Sequence, residues 1–389
     1  MRKLCLLPLL LLFGLFTSSQ LIAQDSTKGA LQISILTCAP GEDVYTAWGH
    51  TAIRIIDSAK QTDIVFNFGT FDFNTPNFLV ECVKGNLNYF LSADNFQNFI
   101  LEYQYYGRSI KEQVLILTDA EKINWQNALL KNLEGNNRYY LYNFITDNCT
   151  TRVKDGFYQF ASTQVPPSTI KSYRTHVVEA PYQQGIPWIG LGIDVLLGAV
   201  SDKAPSAIQA GFLPDLLFDQ LAAQPGYIES TQNYEFTKTV PVKPTDPVYY
   251  IVGLIFLYLF VGRWNARWAV MAAKSIDLIL LFIFGLGGLL LAYMSLFSKH
   301  TACHNNFNIA WIHPFYFIAL ILYFIKPIWA GYLGRIFFIA TIGLIVVSYW
   351  LPQSFSSSVY LLMIVSLLLN YRLFSLIILF KRGRDAKFN

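Results

Sequence analysis

The sequence predicts an α+β domain followed by an all-α polytopic membrane domain, and three observations lead there. Residues 30–240 mix charges, turn residues and apolar runs as a globular domain does, whereas 248–380 is mostly long apolar stretches. The first region places neighbouring alternating segments beside segments of helical spacing, a mixed order that argues α+β. The chain as a whole is 53% hydrophobic and only 14% charged, too apolar for an ordinary soluble enzyme.

The chain begins MRKLCLLPLLLLFGLFTSSQLIAQ, with a basic start, an apolar run and small or polar residues ending near Ala23. This is the pattern of an export signal over 1–23, which puts the domain at 24–240 outside the cytoplasm. Cys5 precedes the apolar run and so does not sit at a lipidation site. LQISILTCAPG is alternating and β-branched, a strand closed by a turn at Pro40–Gly41. WGHTAIRIID (48–57) suits a second strand carrying His50 and Arg54, and DIVFNFGTFDF (63–73) a third. NFLVECVKGNLNYFLSADNFQNFILEYQYYG reads as short helices and loops, and RSIKEQVLIL (108–117) as a strand. DAEKINWQNALLKNLE (119–134) is a helix with Asp119 as candidate N-cap. In NCTTRVKDGFYQFA a further helix begins at or just after Cys149. PWIGLGIDVLLGAVSD lacks a clean helical period and reads as a membrane-adjacent loop, and FLPDLLFDQLAAQ (212–224) as a helix over the domain. PVKPTDP (241–247) is a short, stiff linker, because proline forbids helix continuation.

The apolar segments 248–262, 276–297, 309–326, 334–350 and 357–380 predict five spans within a membrane domain at 248–389. With the first domain outside, Arg263, Arg267, Lys274, Lys326, Arg335, Lys381, Arg382 and Arg384 all fall on the inner side, as the positive-inside rule requires. The net charge of +4 therefore reports topology, and no nucleic-acid partner is expected. The expected location is the inner membrane, multi-pass, with the N-terminal domain in the periplasm.

Cys149, in NFITDNCTTR, lies in a polar, turn-prone setting unlike core filling. A thiol is mostly protonated at neutral pH; an imidazole can take its proton, and a helix N-terminus lowers its pKa and offers amides to an oxyanion. His50 is the candidate base. Its second ring nitrogen needs an orienting partner, with Asn67 preferred and Asp72 the alternative. On spacing alone, Cys149 as nucleophile stands beside structural pairing, and His50 as base beside a satisfied core histidine. Cys38, before Pro-Gly, is less naturally activated; a structural role suits it better, with pairing to Cys82 in view. Arg54 and Arg152 are candidate phosphate contacts, though a strand arginine and a helix-start arginine have ordinary explanations. The outer loop carries His300, His304, Asn306, Asn308, Trp311 and His313. No carboxylate or cysteine geometry completes a metal site there, so neither metal nor cofactor is expected. The loop is either a polar hairpin anchored by Trp311, or a contact in which His300, Asn306 and Asn308 bind a phospholipid headgroup or line the active site from below.

An early strand bearing His, a polar residue on the following strand and Cys at the start of a later helix resembles permuted papain-like enzymes. In these, as in the lecithin:retinol acyltransferase group, the histidine precedes the cysteine. TCAPGEDVYTAWGHTAIRI, FNFGTFDF and TDNCTTR more closely resemble the periplasmic domain of the Lnb family of Bacteroidetes membrane proteins, and HTACHNNFNIAWIHP between the second and third spans fits as well. The resemblance implies lipoprotein N-acyltransfer from a phospholipid to the α-amine of the diacylglyceryl-cysteine, with Cys149 as nucleophile and His50 as base. It does not fix the third member. Phospholipid donor, diacylated lipoproteins and the inner membrane are then the partners. The alternatives are a papain-like hydrolase of peptidoglycan peptides or phospholipid, and a non-enzymatic membrane sensor or assembly protein.

Overall fold

The computed structural model describes residues 29–183, 185–236 and 245–385. The export signal at 1–23 and the linker residues 241–244 lie outside them. The α/β domain contains β1 (Leu31–Cys38), β2 (His50–Asp57), β3 (Thr62–Thr70), α1 (Phe78–Lys84), β4 (Asn88–Asn95), α2 (Phe96–Tyr105), β5 (Ile110–Leu115), α3 (Asp119–Leu133), β6 (Tyr139–Leu141) and α4 (Cys149–Phe160). It continues through α5 (Tyr173–Gln183), α6 (Pro187–Leu196), α7 (Ala207–Ala210), α8 (Pro214–Ala222) and β7 (Ile228–Tyr234). The strands form one antiparallel sheet in the order β6-β4-β3-β2-β1-β5-β7.

β1 is an interior strand covered on both faces, which is why LQISILTC is buried at every position but Gln32. Alternation sorts its side chains and those of β2 onto two faces. Ile33, Ile35, Ile53 and Ile55 pack on Trp125 of α3 and on Val153 and Phe157 of α4. Leu36, Cys38 and Ala52 pack on Phe96, Phe99 and Tyr103 of α2. The register pairs Cys38 with His50, which fixes the histidine at one end of the sheet.

Several boundaries differ from the sequence reading. NYFLSADN forms β4 rather than helix or loop, because β3 and β6 complete its backbone bonds while most of its side chains stay outside the core. The N-cap of α3 is Thr118, not Asp119: Thr118 and Glu121 close a reciprocal capping box. PWIGLGIDVL is a helix, not a loop, started by Pro187 at its first turn. Its Leu191 joins the buried core of the membrane domain.

The membrane domain comprises α9 (Pro247–Gly262), α10 (Arg267–Leu296), α11 (Tyr316–Ile325), α12 (Pro327–Val347) and α13 (Ser357–Asp385). Five apolar helices are present in the expected order, but among the described residues only three segments are long and apolar enough to cross a membrane: Arg267–Leu296, Pro327–Trp350 and Ser357–Ile378. The expected span 309–326 shrinks to α11. Phe307–Ala310 is a 3-10 turn, and Pro327 starts a separate helix. Ten residues of helix rise only about 15 Å.

The two domains lock through the loop after α10. Asn306 Nδ2 donates to the Val195 and Leu196 carbonyls, both at 2.9 Å, and Asn308 Nδ2 to Val195 at 3.0 Å. Arg174 pairs with Asp194 and Asp202 and donates to the Leu197 and Gly198 carbonyls, so the turn after α6 is held from both sides. Gly198 passes so close that a Cβ there would lie 1.9 Å from the His304 carbonyl oxygen.

Gly198→Ala must therefore push the backbones at 198 and 304 apart. It should destabilise the full chain by about 1–3 kcal/mol, read as a lower Tm in detergent. Gly192→Ala in α6, where a Cβ meets nothing within 4 Å, should be neutral or stabilise by about 0.5–1 kcal/mol. Equal effects of the two would contradict this contact.

Candidate active site

α4 starts at Cys149 because Asn148 caps it. The Asn148 Oδ1 accepts from the Thr151 amide at 2.9 Å, and the Thr151 hydroxyl accepts from the Asn148 amide at 2.8 Å. Asn148 Nδ2 also donates to the carbonyls of Phe144 and Phe212, pinning the helix start to its own loop and to the segment before α8. That loop closes on itself through paired amide bonds between Asn143 and Asp147. The polar character of TDNCTT is thus cap chemistry as well as site chemistry.

His50 opens β2 after a glycine that the geometry demands. Gly49 has φ +79°, and a Cβ there would lie 2.6 Å from the Cys38 carbonyl oxygen. His50 Nε2 lies 3.2 Å from Asn67 Oδ1. An amide oxygen only accepts, so Nε2 carries the proton and Nδ1 is left with its lone pair for the thiol. Asp72 does not reach the ring; its carboxylate takes both the amide and the side chain of Asn74 within its own turn.

Cys149 is buried, which by itself raises a thiol's pKa. The charge of His50, a hydrogen bond with its ring, the Thr51 backbone amide and the Thr150 hydroxyl outweigh this and bring it down to about 7. Cys38 offers the contrast: burial pushes it up to about 12, although Tyr103 hydrogen-bonds it and Arg108 is near. Burial also raises Cys82, and it pushes Cys303 up to about 12. All four of these cysteines are free, so the Cys38–Cys82 pairing left open by the sequence is absent, and Cys38 is enclosed by the sheet and α2.

Four neighbours of the thiol escape sequence reasoning. Thr51 donates its amide to the sulfur, and its hydroxyl meets that of Thr150 at 3.0 Å. Tyr142 lies beside Cys149 and stacks on Tyr89 at 4.3 Å between ring centres. Gly69 has φ +90°, and a Cβ there would stand 3.4 Å from Cys149 Cβ and 3.5 Å from the Tyr142 ring. Only the glycine in FNFGTF signals any of this, since a glycine inside a strand often marks a close approach.

The remaining candidates are dispersed. Arg54 is on the α2 face of the sheet, bidentate to Asp63 at 2.7–2.8 Å, paired with Glu112 at 2.9 Å and stacked over Phe96. It is four residues along β2 from His50, about 13 Å away. Arg152 forks onto Asp147 at 2.7 and 2.9 Å and covers the Tyr140 ring. Asn306 and Asn308 are buried and spend their side chains on the chain itself, as the domain clamp. His300 is nearer the chemistry. Its Nε2 donates to the Cys82 carbonyl at 2.7 Å, its ring stacks on Phe144, and burial lowers its pKa. It shares a small cleft with Tyr89 and Tyr142, so the thiol's neighbour Tyr142 also faces the membrane domain's loop. Asn143 Nδ2 reaches Thr301 at 3.2 Å, a second tie between the loop preceding Cys149 and that outer loop.

Residues 20–175 match the family described as the Lnb N-terminal periplasmic domain, and residues 236–383 match the Lnb transmembrane domain. His50, Asn67 and Cys149 all fall within the first match. No curated protein and no solved structure gives a match.

The depressed thiol pKa has a direct consequence. Alkylation of Cys149 by iodoacetamide should rise with pH through a midpoint near 7, while Cys38, pushed up to about 12, stays unlabelled in the folded chain. His50→Ala removes the main opposing influence, so the midpoint should move upward by at least one pH unit, about 1.4 kcal/mol. Peptide mass spectrometry after timed labelling reads both. A midpoint unmoved by His50→Ala would contradict the pairing.

Proposed function

The chain belongs to the Lnb family, and from that premise we propose that it is an enzyme of lipoprotein maturation, an N-acyltransferase working through a Cys149 thioester. The observation that carries this reading is the set Cys149–His50–Asn67: a buried thiol brought down to about 7 by the histidine beside it, and that histidine's Nε2 set 3.2 Å from an amide oxygen that orients the ring. The order of histidine before cysteine fits the permuted papain-like arrangement. The domain's attachment to apolar helices suits substrates that are themselves held in a membrane. A multi-pass domain of five membrane helices, three of them long enough to cross unaided, with the N-terminal domain on the periplasmic side of the inner membrane, remains our reading of the topology.

In the first half-reaction, the His50 Nδ1 takes the thiol proton and the thiolate attacks the ester carbonyl carbon of a phospholipid. The resulting oxyanion faces the start of α4. The Thr151 amide is held by the Asn148 side chain and the Arg152 amide by the Asn148 carbonyl. Those of Cys149 and Thr150 are the donors left for it among the described residues. Collapse breaks the carbon–oxygen bond to glycerol, and the imidazolium returns its proton to the departing alkoxide, releasing a lysophospholipid. In the second half, the lipoprotein's α-amine attacks the thioester, His50 accepts the amine's proton, and the thiolate leaves. Throughout, Asn67 keeps the Nε2 proton in place, so the ring alternates at Nδ1 alone.

The test is acylation of a synthetic diacylated lipopeptide by the full chain in phospholipid vesicles, followed by mass spectrometry. Cys149→Ser should abolish triacylated product, and His50→Ala should lower the rate about 10²–10⁴-fold. Asn67→Ala should cost less, mainly in kcat, because it loosens the ring without removing the base. Release of free fatty acid with no acylation of the amine would mark a hydrolase instead, and full activity of Cys149→Ser would overturn the mechanism.

A further inference from the structure

The membrane helices enclose an open cleft of about 510 Å³, far from Cys149. Its walls come from the last turn of α9, the first turns of α10, Tyr323 of α11 and residues 368–376 of α13. The α/β domain meets the other end of α10, where the Lys299 amide donates to the Lys84 carbonyl and His300 bonds to Cys82. Asp277 precedes Leu296 by about 28 Å of helix at 1.5 Å per residue, close to the ~30 Å hydrocarbon thickness of a bilayer. The cleft therefore opens towards the leaflet opposite the α/β domain.

Its chemistry is amphipathic and cationic. Asp277 is buried and takes hydrogen bonds from the Tyr258 hydroxyl and from Arg372 Nε at 3.1 Å, so this pair is neutral overall. Arg372 engages Asp277 through Nε and one Nη. The other, Nη1, stands 3.7 Å from where a Cβ on Gly262 would be, and Gly262 itself lines the cleft. A side chain at 262 would occupy the space this guanidinium faces. Arg263 and Lys274, both exposed, add two positive charges at the rim, and Asp277 is the only lining carboxylate among the described residues. Leu259, Val270, Leu368 and Leu376 supply apolar wall. Surplus positive charge at headgroup depth above an apolar wall is what an anionic phospholipid requires: a phosphodiester among the cations and an acyl chain along the leucines.

We propose that this cleft binds an anionic phospholipid from the leaflet opposite the α/β domain, at a site distinct from any acyl donor at Cys149. The lipid there braces α9, α10 and α13 and is not consumed. The experiment uses the full chain in neutral detergent, with native mass spectrometry and thermal unfolding, and with dioleoyl phosphatidylglycerol, dioleoyl phosphatidylcholine and inorganic phosphate as separate probes. Phosphatidylglycerol should bind at least tenfold more tightly than phosphatidylcholine and raise the Tm, whereas inorganic phosphate should do neither. The double variant Arg263→Gln, Lys274→Gln, at exposed positions that should leave folding intact, should lose at least tenfold in phosphatidylglycerol affinity. Gly262→Leu should displace the lipid by filling the mouth. Unchanged phosphatidylglycerol binding in both variants, or equal binding of the two lipids by the unaltered chain, would overturn the proposal. So would a Tm rise with inorganic phosphate equal to that with phosphatidylglycerol.

Discussion

A thiol shut away from water holds its proton, and two cysteines of one small domain show what it takes to reverse that. Cys38, enclosed by the sheet and α2, is pushed up to about 12, whereas Cys149, also buried, comes down to about 7. The difference is the imidazole of His50, helped by one amide and one hydroxyl. Much of the local structure serves to hold that imidazole against that sulfur. The Cys38–His50 register sets the end of β2, Gly49 bends the chain into it, β3 brings Asn67 to the far nitrogen, and the Asn148 cap begins α4 at the sulfur.

The same loop that carries Cys149 also faces the membrane domain. Phe144 stacks on His300 and Asn143 reaches Thr301, while the Asn306–Asn308 clamp and the Arg174 network fix the turn after α6 beside them. Buried polar groups of this kind are costly if left unpaired, so they hold the two domains in one arrangement more firmly than apolar contact alone. For the thioester carrier proposed above, that rigidity would fix the reach to the bilayer by packing rather than by a linker.

The features of the site legible in the sequence were those whose cause is local. Alternation around His50, polar residues before Cys149 and a polar residue on the next strand each follow from chain-local rules, and the structure brings the three together. What stayed hidden depended on partners distant in sequence. Asn306 and Asn308 read either as part of a polar hairpin or as contacts to a headgroup or the active site, yet the carbonyls of Val195 and Leu196 claim them from more than a hundred residues away. Arg54 stood as a candidate phosphate contact beside an ordinary strand arginine, and the ordinary account holds: Asp63 on β3 and Glu112 on β5, two strands away, neutralise it. β4 was missed because its polar side chains mask a backbone that only β3 and β6 complete. The expected third span exceeded α11 because hydropathy counts apolar residues in a loop, such as Ile309 and Trp311, as though they were helical.

The central claim is that Cys149 carries the acyl group. Its most direct measurement is the intact mass of the full chain after incubation with a phospholipid of one acyl composition and no acceptor. The account predicts a single added acyl mass, located on the Cys149 peptide, released by neutral hydroxylamine and discharged by a diacylated lipopeptide. An acylating enzyme that shows no adduct at Cys149, or an adduct of equal extent in Cys149→Ser, would contradict it.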